Sequence, residues 1–407
     1  MDDYWHRPRL VDACSPTEQA VGQDSPAEYF EAVIEGIMPV PTGDLADWMD
    51  TPCDAVVLPA FEANSLRLEG TEYEGRLSEY VKKLHSRNER ADGDMVFGAA
   101  VQPHSDDDDD EDGWHIDTRI AAYTEQAAAI EKAGFDFLHI FDVEDLAEGR
   151  AALLAAVEVT RLPVIVSVVC DEYGMVGDTD VMACLAVYQS IGCTAFGISA
   201  YNRADVCAEQ TARIYPYAKV PLFVKLDAYE QEGYEHTLLS PGKYASNART
   251  CLEAGAKTVF TGAGAVAEYA KLAGIEMASF DSSQITAEPK DDEAILSATL
   301  REVHFIDLLL DISRPLYVGT DLDDAIYEVE QSGCEAVKIH LRDVDDFELF
   351  AESLYMLELP LCLSADDLSL FERATMLYSG RAIYDGTCDF DDDELKLVLR
   401  RYGVIDL

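Results

Sequence analysis

The chain has 407 residues, 48% of them hydrophobic, which is more than one ordinary core requires and too much for a disordered polyacid. Asp and Glu number 79 against 30 Lys and Arg, a formal net charge of −49 spread along the whole sequence. No Lys/Arg patch is visible, so a nucleic-acid partner is not expected. Self-repulsion of this size weakens a compact state at low salt, and molar salt screens it by shortening the Debye length to about 3 Å, so the expected setting is a high-salt cytoplasm. No apolar signal segment and no run of about 18 apolar residues occurs, so neither secretion nor a membrane span is expected. The 10 cysteines are scattered without a CxxC pair. Cys184 and Cys362 lie in apolar patterns, as reduced thiols serving as small core residues do.

In chain order, Ser25-Pro26-Ala27-Glu28 is a capping box with Pro at the first helical position, and the helix it starts can run to Glu35, with a first strand near residues 33–40. Short apolar runs follow at 54–59 (DAVVLP), 95–101 (MVFGAAV), 136–141 (DFLHIF), 163–169 (PVIVSVV), 194–199 (TAFGIS), 221–226 (PLFVKL) and 257–262 (KTVFTG). They lack alternation, as strands buried on both faces do. Helical patterns at 120–133, 145–159, 180–191 and 246–254 lie between them, and this βα alternation predicts a parallel sheet closing as an eight-stranded TIM-type barrel over residues 1–281. The acidic run 105–112 (SDDDDDED) reads as a solvated loop, since it lacks the alternating ligands and glycine turn of a calcium loop. Residues 282–300 read as an acidic linker. Residues 301–407 repeat the βα rhythm, with strands at 315–319, 336–341, 359–364 and 381–384 and acid-started helices at 321–331, 345–356 and 366–378, which predicts a small α/β C-terminal domain.

Several strand ends, among them LPAFEAN at 58–64, GFDFLHIFD at 134–142 and GISA at 197–200, resemble the homocysteine S-methyltransferase family. Residues 58–64 (LPAFEAN) resemble its TNTFxAN, 96–103 (VFGAAVQP) its VaGsigP, and 134–150 (GFDFLHIFDVEDLAEGR) its GvDlliiET segment. Residues 197–200 (GISA) stand where the family has GvNC, 220–229 (VPLFVKLDAY) at its PNAG segment, 261–269 (TGAGAVAEY) at GGCCGT, and 35–40 (EGIMPV) at DGaMGT. Order and spacing agree over about residues 30–278. Residues 377–389 (LYSGRAIYDGTCD) and Arg401–Gly403 resemble a C-terminal extension of some bacterial members.

The resemblance implies methyl transfer to homocysteine or an analogous thiol, with zinc on three cysteine thiolates converting the thiol to thiolate. Ala200, Ala263 and Gly264 replace those cysteines, so a zinc site of the family type is not expected, and the methyl donor is left open. The family's Glu, which holds the substrate's amino group, aligns with Phe141; Asp142 can take its place only if the strand end shifts by one. The polar residues expected at the barrel mouth are Glu35, Asn64, Asp142, Ser199 and Asp227, as substrate-binding candidates at the C-terminal ends of strands. Gly262, Ala263 and Gly264 can bind an anion through backbone N–H groups. Cys170 and Cys207 are the candidates for a relocated thiol or metal site, His104 for a mouth position, and His139 reads as a hydrogen-bonded core residue.

Three functions fit these residues. The first is a zinc-free methyltransferase of one-carbon metabolism acting on a small thiol or amino acid. The second is a non-catalytic barrel partnering a methyltransferase or corrinoid protein. The third is a barrel enzyme of different chemistry using Glu35, Asp142 and Asp227 as acids, bases or hard-metal ligands.

Overall fold

The computed structural model describes residues 55–61, 63, 68, 75–85, 96–102, 116–200, 203–232, 235–262 and 267–407, together with the backbone of Ile37–Pro39. The candidates Glu35, Asn64, His104, Ala263 and Gly264, the capping box at Ser25 and the acidic run 105–112 lie outside the described residues. The chain divides into two compact units. One comprises residues 1–144, 151–174 and 193–290, and the other 145–150, 175–192 and 291–407.

The first unit is built on an eight-stranded parallel sheet. Its strands are β1 (Ile37–Pro39), β2 (Ala55–Pro59), β3 (Val96–Val101), β4 (Phe137–Val143), β5 (Val164–Val169), β8 (Ala195–Ser199), β9 (Leu222–Leu226) and β12 (Thr258–Thr261). Of the numbers between, β10 (Tyr229–Glu232) and β11 (Glu235–Leu238) form an antiparallel hairpin of this unit, and β6 (Met175–Val176) and β7 (Thr179–Asp180) form one that belongs to the second unit. Consecutive strands of the large sheet lie side by side from β2 to β12, and β12 pairs with β1 in parallel, Ile37 opposite Val259. β1 also lies beside β2, although no ladder joins them among the described residues, so the curled sheet is consistent with a TIM-type barrel.

Period-two geometry sends alternate side chains to the inside. The inner face carries Phe137, Ile165, Ala195, Phe223 and Phe260, all buried in one cluster. Two glycines make room for the rings: a Cβ on Gly98 would meet the Phe137 ring at 2.2 Å, and one on Gly197 the Phe223 ring at 2.1 Å. The interior is therefore an aromatic plug, with Phe223 and Phe260 centroids 4.6 Å apart.

In the second unit a five-stranded parallel sheet runs in sequential order through β15 (Leu316–Tyr317), β16 (Val337–Leu341), β17 (Leu361–Ala365), β18 (Ile383–Tyr384) and β19 (Ile405–Asp406). Helices Leu322–Glu330, Asp346–Ser353, Leu368–Leu377 and Asp392–Tyr402 connect or follow these strands. Where an acidic linker is expected over 282–300, the chain forms a single 3-10 turn, Ser282–Gln284, and the strand β13 (Ile295–Ala298), which pairs with β14 (Val303–Ile306).

The helix-starting acids behave unequally. Asp367 accepts from the Leu370 N–H at 2.9 Å and Asp391 from Asp393 and Glu394, as N-caps do. Asp321 and Asp345 make no side-chain cap bond, Asp345 because its own backbone is already helical. Among the described residues no helix is long and apolar enough to cross a membrane.

Candidate active site

The strand ends of the first unit gather polar groups above the aromatic plug. The register between β4 and β5 shifts between Ile140 and Val143, and Asp142 takes a left-handed backbone with φ 48°. That conformation is rare for a residue other than glycine and marks a locally forced turn. The register shift is a one-residue bulge at the end of β4, and there the Asp142 carboxylate turns toward β5 and β9.

There it forms an ion pair with the Lys225 ammonium, both side chains 12% exposed. Ser167 on β5 receives the Asp142 backbone N–H at 2.9 Å and gives its hydroxyl proton to the carboxylate across 3.2 Å. Below lies His139, whose Nε2 is 2.9 Å from the Ser167 hydroxyl. Its Nδ1 is buried without a hydrogen-bond partner among the described residues, so the ring proton belongs on Nε2, donating to Ser167.

Burial and the nearby Lys225 push the imidazole down to about 3, which keeps it neutral. Burial raises the Asp142 carboxyl against the lowering effects of Lys225 and Ser167, and Asp227 adds to the rise. The Lys225 ammonium also sits 4.7 Å from the centre of the Phe141 ring. Lys225 belongs to no motif; its signal in the sequence is a single charge inside the apolar run 221–226.

Lys225 has a second neighbour, a cleft of about 270 Å3 that Ala200, Cys207, Lys225 and Asp227 help to line. Its walls also carry both signs of charge, including Arg203, Lys243 and Glu230. Gly262 approaches Asp227 so closely that a Cβ there would fall 2.0 Å from the carboxylate and 3.1 Å from the Leu226 carbonyl. Ser199 is buried at the end of β8, where its carbonyl accepts from the Cys170 N–H at 2.9 Å.

The expected residues therefore separate. Asp142 comes together with Lys225 and Ser167, Asp227 with the cleft, and Ser199 stays in the wall.

The described donors do not fit a thiolate-bound zinc. Ala200 brings a methyl group to the cleft. Cys170 and Cys207 are buried, and burial pushes the Cys207 thiol well up, with Cys251 and Cys170 adding to the rise. Among the described residues no group of three or more His, Cys, Asp or Glu converges as metal ligands.

Comparison with known proteins bears on this arrangement. No curated protein sequence matches the chain. Among solved structures, the apo form of the homocysteine methyltransferase MmuM from Escherichia coli shares 15% identity over 60% of this chain and 95% of its own, with a TM-score of 0.44. A methyltransferase from Methanosarcina mazei shares 12% over 67% of this chain and 90% of its own, at 0.40. The carboxyl transferase domain of Rhizobium etli pyruvate carboxylase shares 11% over 66% and 49%, at 0.41. The family model for homocysteine S-methyltransferase matches residues 46–267, a span holding β2 to β12 and every polar group of the mouth just described. The chain belongs to the homocysteine S-methyltransferase family.

Proposed function

We propose that this protein transfers a methyl group to a small thiol amino acid, homocysteine or an analogue, held in the cleft beside Lys225 without a three-cysteine zinc site. The observation that carries the reading is the Asp142–Lys225 pair at the strand ends, opening on a cleft with carboxylate and cationic walls. An amino acid needs both signs. In this reading Asp227 receives the ammonium group and Lys243 the carboxylate, since Arg203 already holds Asp205 through two hydrogen bonds. Asp142 is committed to Lys225 and Ser167 and lies on the inner side of the pair.

The test is methionine formation from homocysteine by the chelator-treated protein in molar KCl, with sulfonium, ammonium and folate methyl donors in turn, read by mass spectrometry. Methionine is expected from at least one donor, with no gain on adding zinc. Its absence with all of them would sink the catalytic reading. One observation favours a second reading, a barrel that binds the thiol without turning it over: Ala200 faces the cleft with no donor atom. Homocysteine binding by calorimetry with no methionine in the same preparation would establish that reading.

A further inference from the structure

The family reaction needs the acceptor thiol ionised, and the described thiols and carboxylates of this chain offer no set of zinc ligands to do it. We propose that Lys225, backed by Asp142, is the thiol-activating group: its ammonium pairs with the acceptor thiolate, and Asp142 receives the thiol's proton through it. This inference rests on the reading of the cleft as a thiol amino-acid site.

Geometry singles out this lysine. Lys225 lines the cleft, whereas Asp142 does not, so a bound thiol meets the ammonium first and the carboxylate only through it. Among the described residues, the titratable groups near Lys225 include Asp142 and the neutral His139 from β4, Cys207 from the helix Ala204–Ile214, and Asp227, which follows the end of β9 and lines the same cleft. The Phe141 ring covers another side, which lowers the local dielectric and strengthens the attraction between the ammonium and an anion placed beside it.

The step balances. A neutral thiol meets the Lys225 ammonium–Asp142 carboxylate pair. Lys225 passes one proton to Asp142 and takes the thiol's proton, which leaves a thiolate–ammonium pair beside a neutral carboxylic acid. The thiolate then attacks the methyl carbon of a sulfonium donor. The new S–C bond forms, the donor's S–C bond breaks with its electron pair, and the donor departs as a neutral thioether. Asp142 later returns its proton to solvent. Burial already raises the Asp142 carboxyl, which suits it to hold that proton.

Metal-free protein is titrated with homocysteine in molar KCl, and the thiolate absorbance of the bound ligand is followed against pH. In the native protein the bound thiol should ionise below about 7.5, against about 8.5 for a free thiol, as a neighbouring ammonium dictates. Lys225→Met should abolish that shift, and Lys225→Arg, which keeps the charge, should retain most of it. Equal midpoints in the native protein and Lys225→Met would overturn the proposal while leaving the cleft reading intact. Failure of homocysteine to bind at all would remove the cleft reading, and this proposal with it.

Should Lys225→Met not fold, proton release decides. Calorimetry in buffers of different ionisation enthalpy should show almost no release on binding at neutral pH in the native protein, because Asp142 keeps the proton. In Asp142→Asn the release should approach one proton per ligand. The same release in both would overturn the proposal.

Discussion

His139 is buried on the same face of β4 as Phe137, with its ring 5.1 Å from Phe260 and 5.7 Å from Phe223. A histidine held neutral to about 3 in the folded chain titrates near 6.5 when unfolded, so between those values the unfolded state binds one more proton. Stability from this group is present above about 6.5 and falls away as the pH drops toward 3, by about 5 kcal/mol in all. Asp142 works in the opposite sense. Its raised carboxyl keeps a proton that the unfolded state loses near pH 4, so its contribution declines as the pH rises above that point. Urea unfolding at pH 5 and 7 in molar KCl should show His139→Gln with a flatter pH slope than the native protein, by about one proton. An unchanged slope would mean that the imidazole is protonated in the fold. The candidates at this scale were legible where a polar residue ends an apolar run, as Asp142 and Asp227 do. Nothing in the order of residues announces the bulge that turns Asp142 inward, because it depends on the register of β4 against β5. Lys225 was hidden because a lone lysine in a strand more often reaches outward to water.

The fit between β3 and β4 is a packing device at the scale of elements. Three atoms of the Phe137 ring lie within 2.7 Å of where a Gly98 Cβ would stand, and the ring is fully buried. Gly98→Ala should therefore cost about 1–3 kcal/mol by overpacking. A smaller side chain in place of the ring should relieve it, so Gly98→Ala combined with Phe137→Leu should cost less than the sum of the two single changes. Strict additivity in chemical unfolding would show that the ring moves aside freely.

Arg150, 2% exposed, plays a comparable part in the second unit. It donates to the carbonyls of Thr375 at 2.7 Å and Met376 at 2.9 Å, and so closes the C-terminal turn of the helix Leu368–Leu377. Burial lowers its guanidinium only to about 10, so it stays charged at neutral pH and suits the negative end of the helix dipole. Arg150→Met should destabilise the protein by about 2–4 kcal/mol. Hydrogen exchange should quicken first in that helix end, and uniform exchange would show that the cap is dispensable.

From β2 to β12 the strands of the large sheet were readable to within about two residues, since runs buried on both faces carry no competing pattern, whereas β1 begins four residues later than the expected 33–40. The hairpins β6–β7 and β10–β11 and the strand β13 were not, because short polar segments derive their pairing from neighbours rather than from their own periodicity.

Over the whole molecule, charge decides the conditions under which any of this holds. Among the described residues few carboxylates are withdrawn from solvent as Glu148, Asp346 and Asp142 are, so most of the excess of 79 acids over 30 bases repels from positions open to screening by salt. Raising KCl from about 0.1 M to 1 M shortens the screening length from about 10 Å to 3 Å. The thermal midpoint should climb steeply across that range, and the chain should lose compactness at the dilute end. The Asp142–Lys225 pair is largely withdrawn from solvent and should feel salt far less. Homocysteine affinity, measured wherever the protein is folded, should then vary by less than about threefold between 1 M and 3 M KCl while the midpoint still rises. If affinity instead tracked the midpoint, the ligand would be meeting screened charges on the outer walls of the cleft, and Lys225 would not be its main electrostatic partner. A flat midpoint would show that the fold tolerates its own charge, and the high-salt setting read from composition would fail.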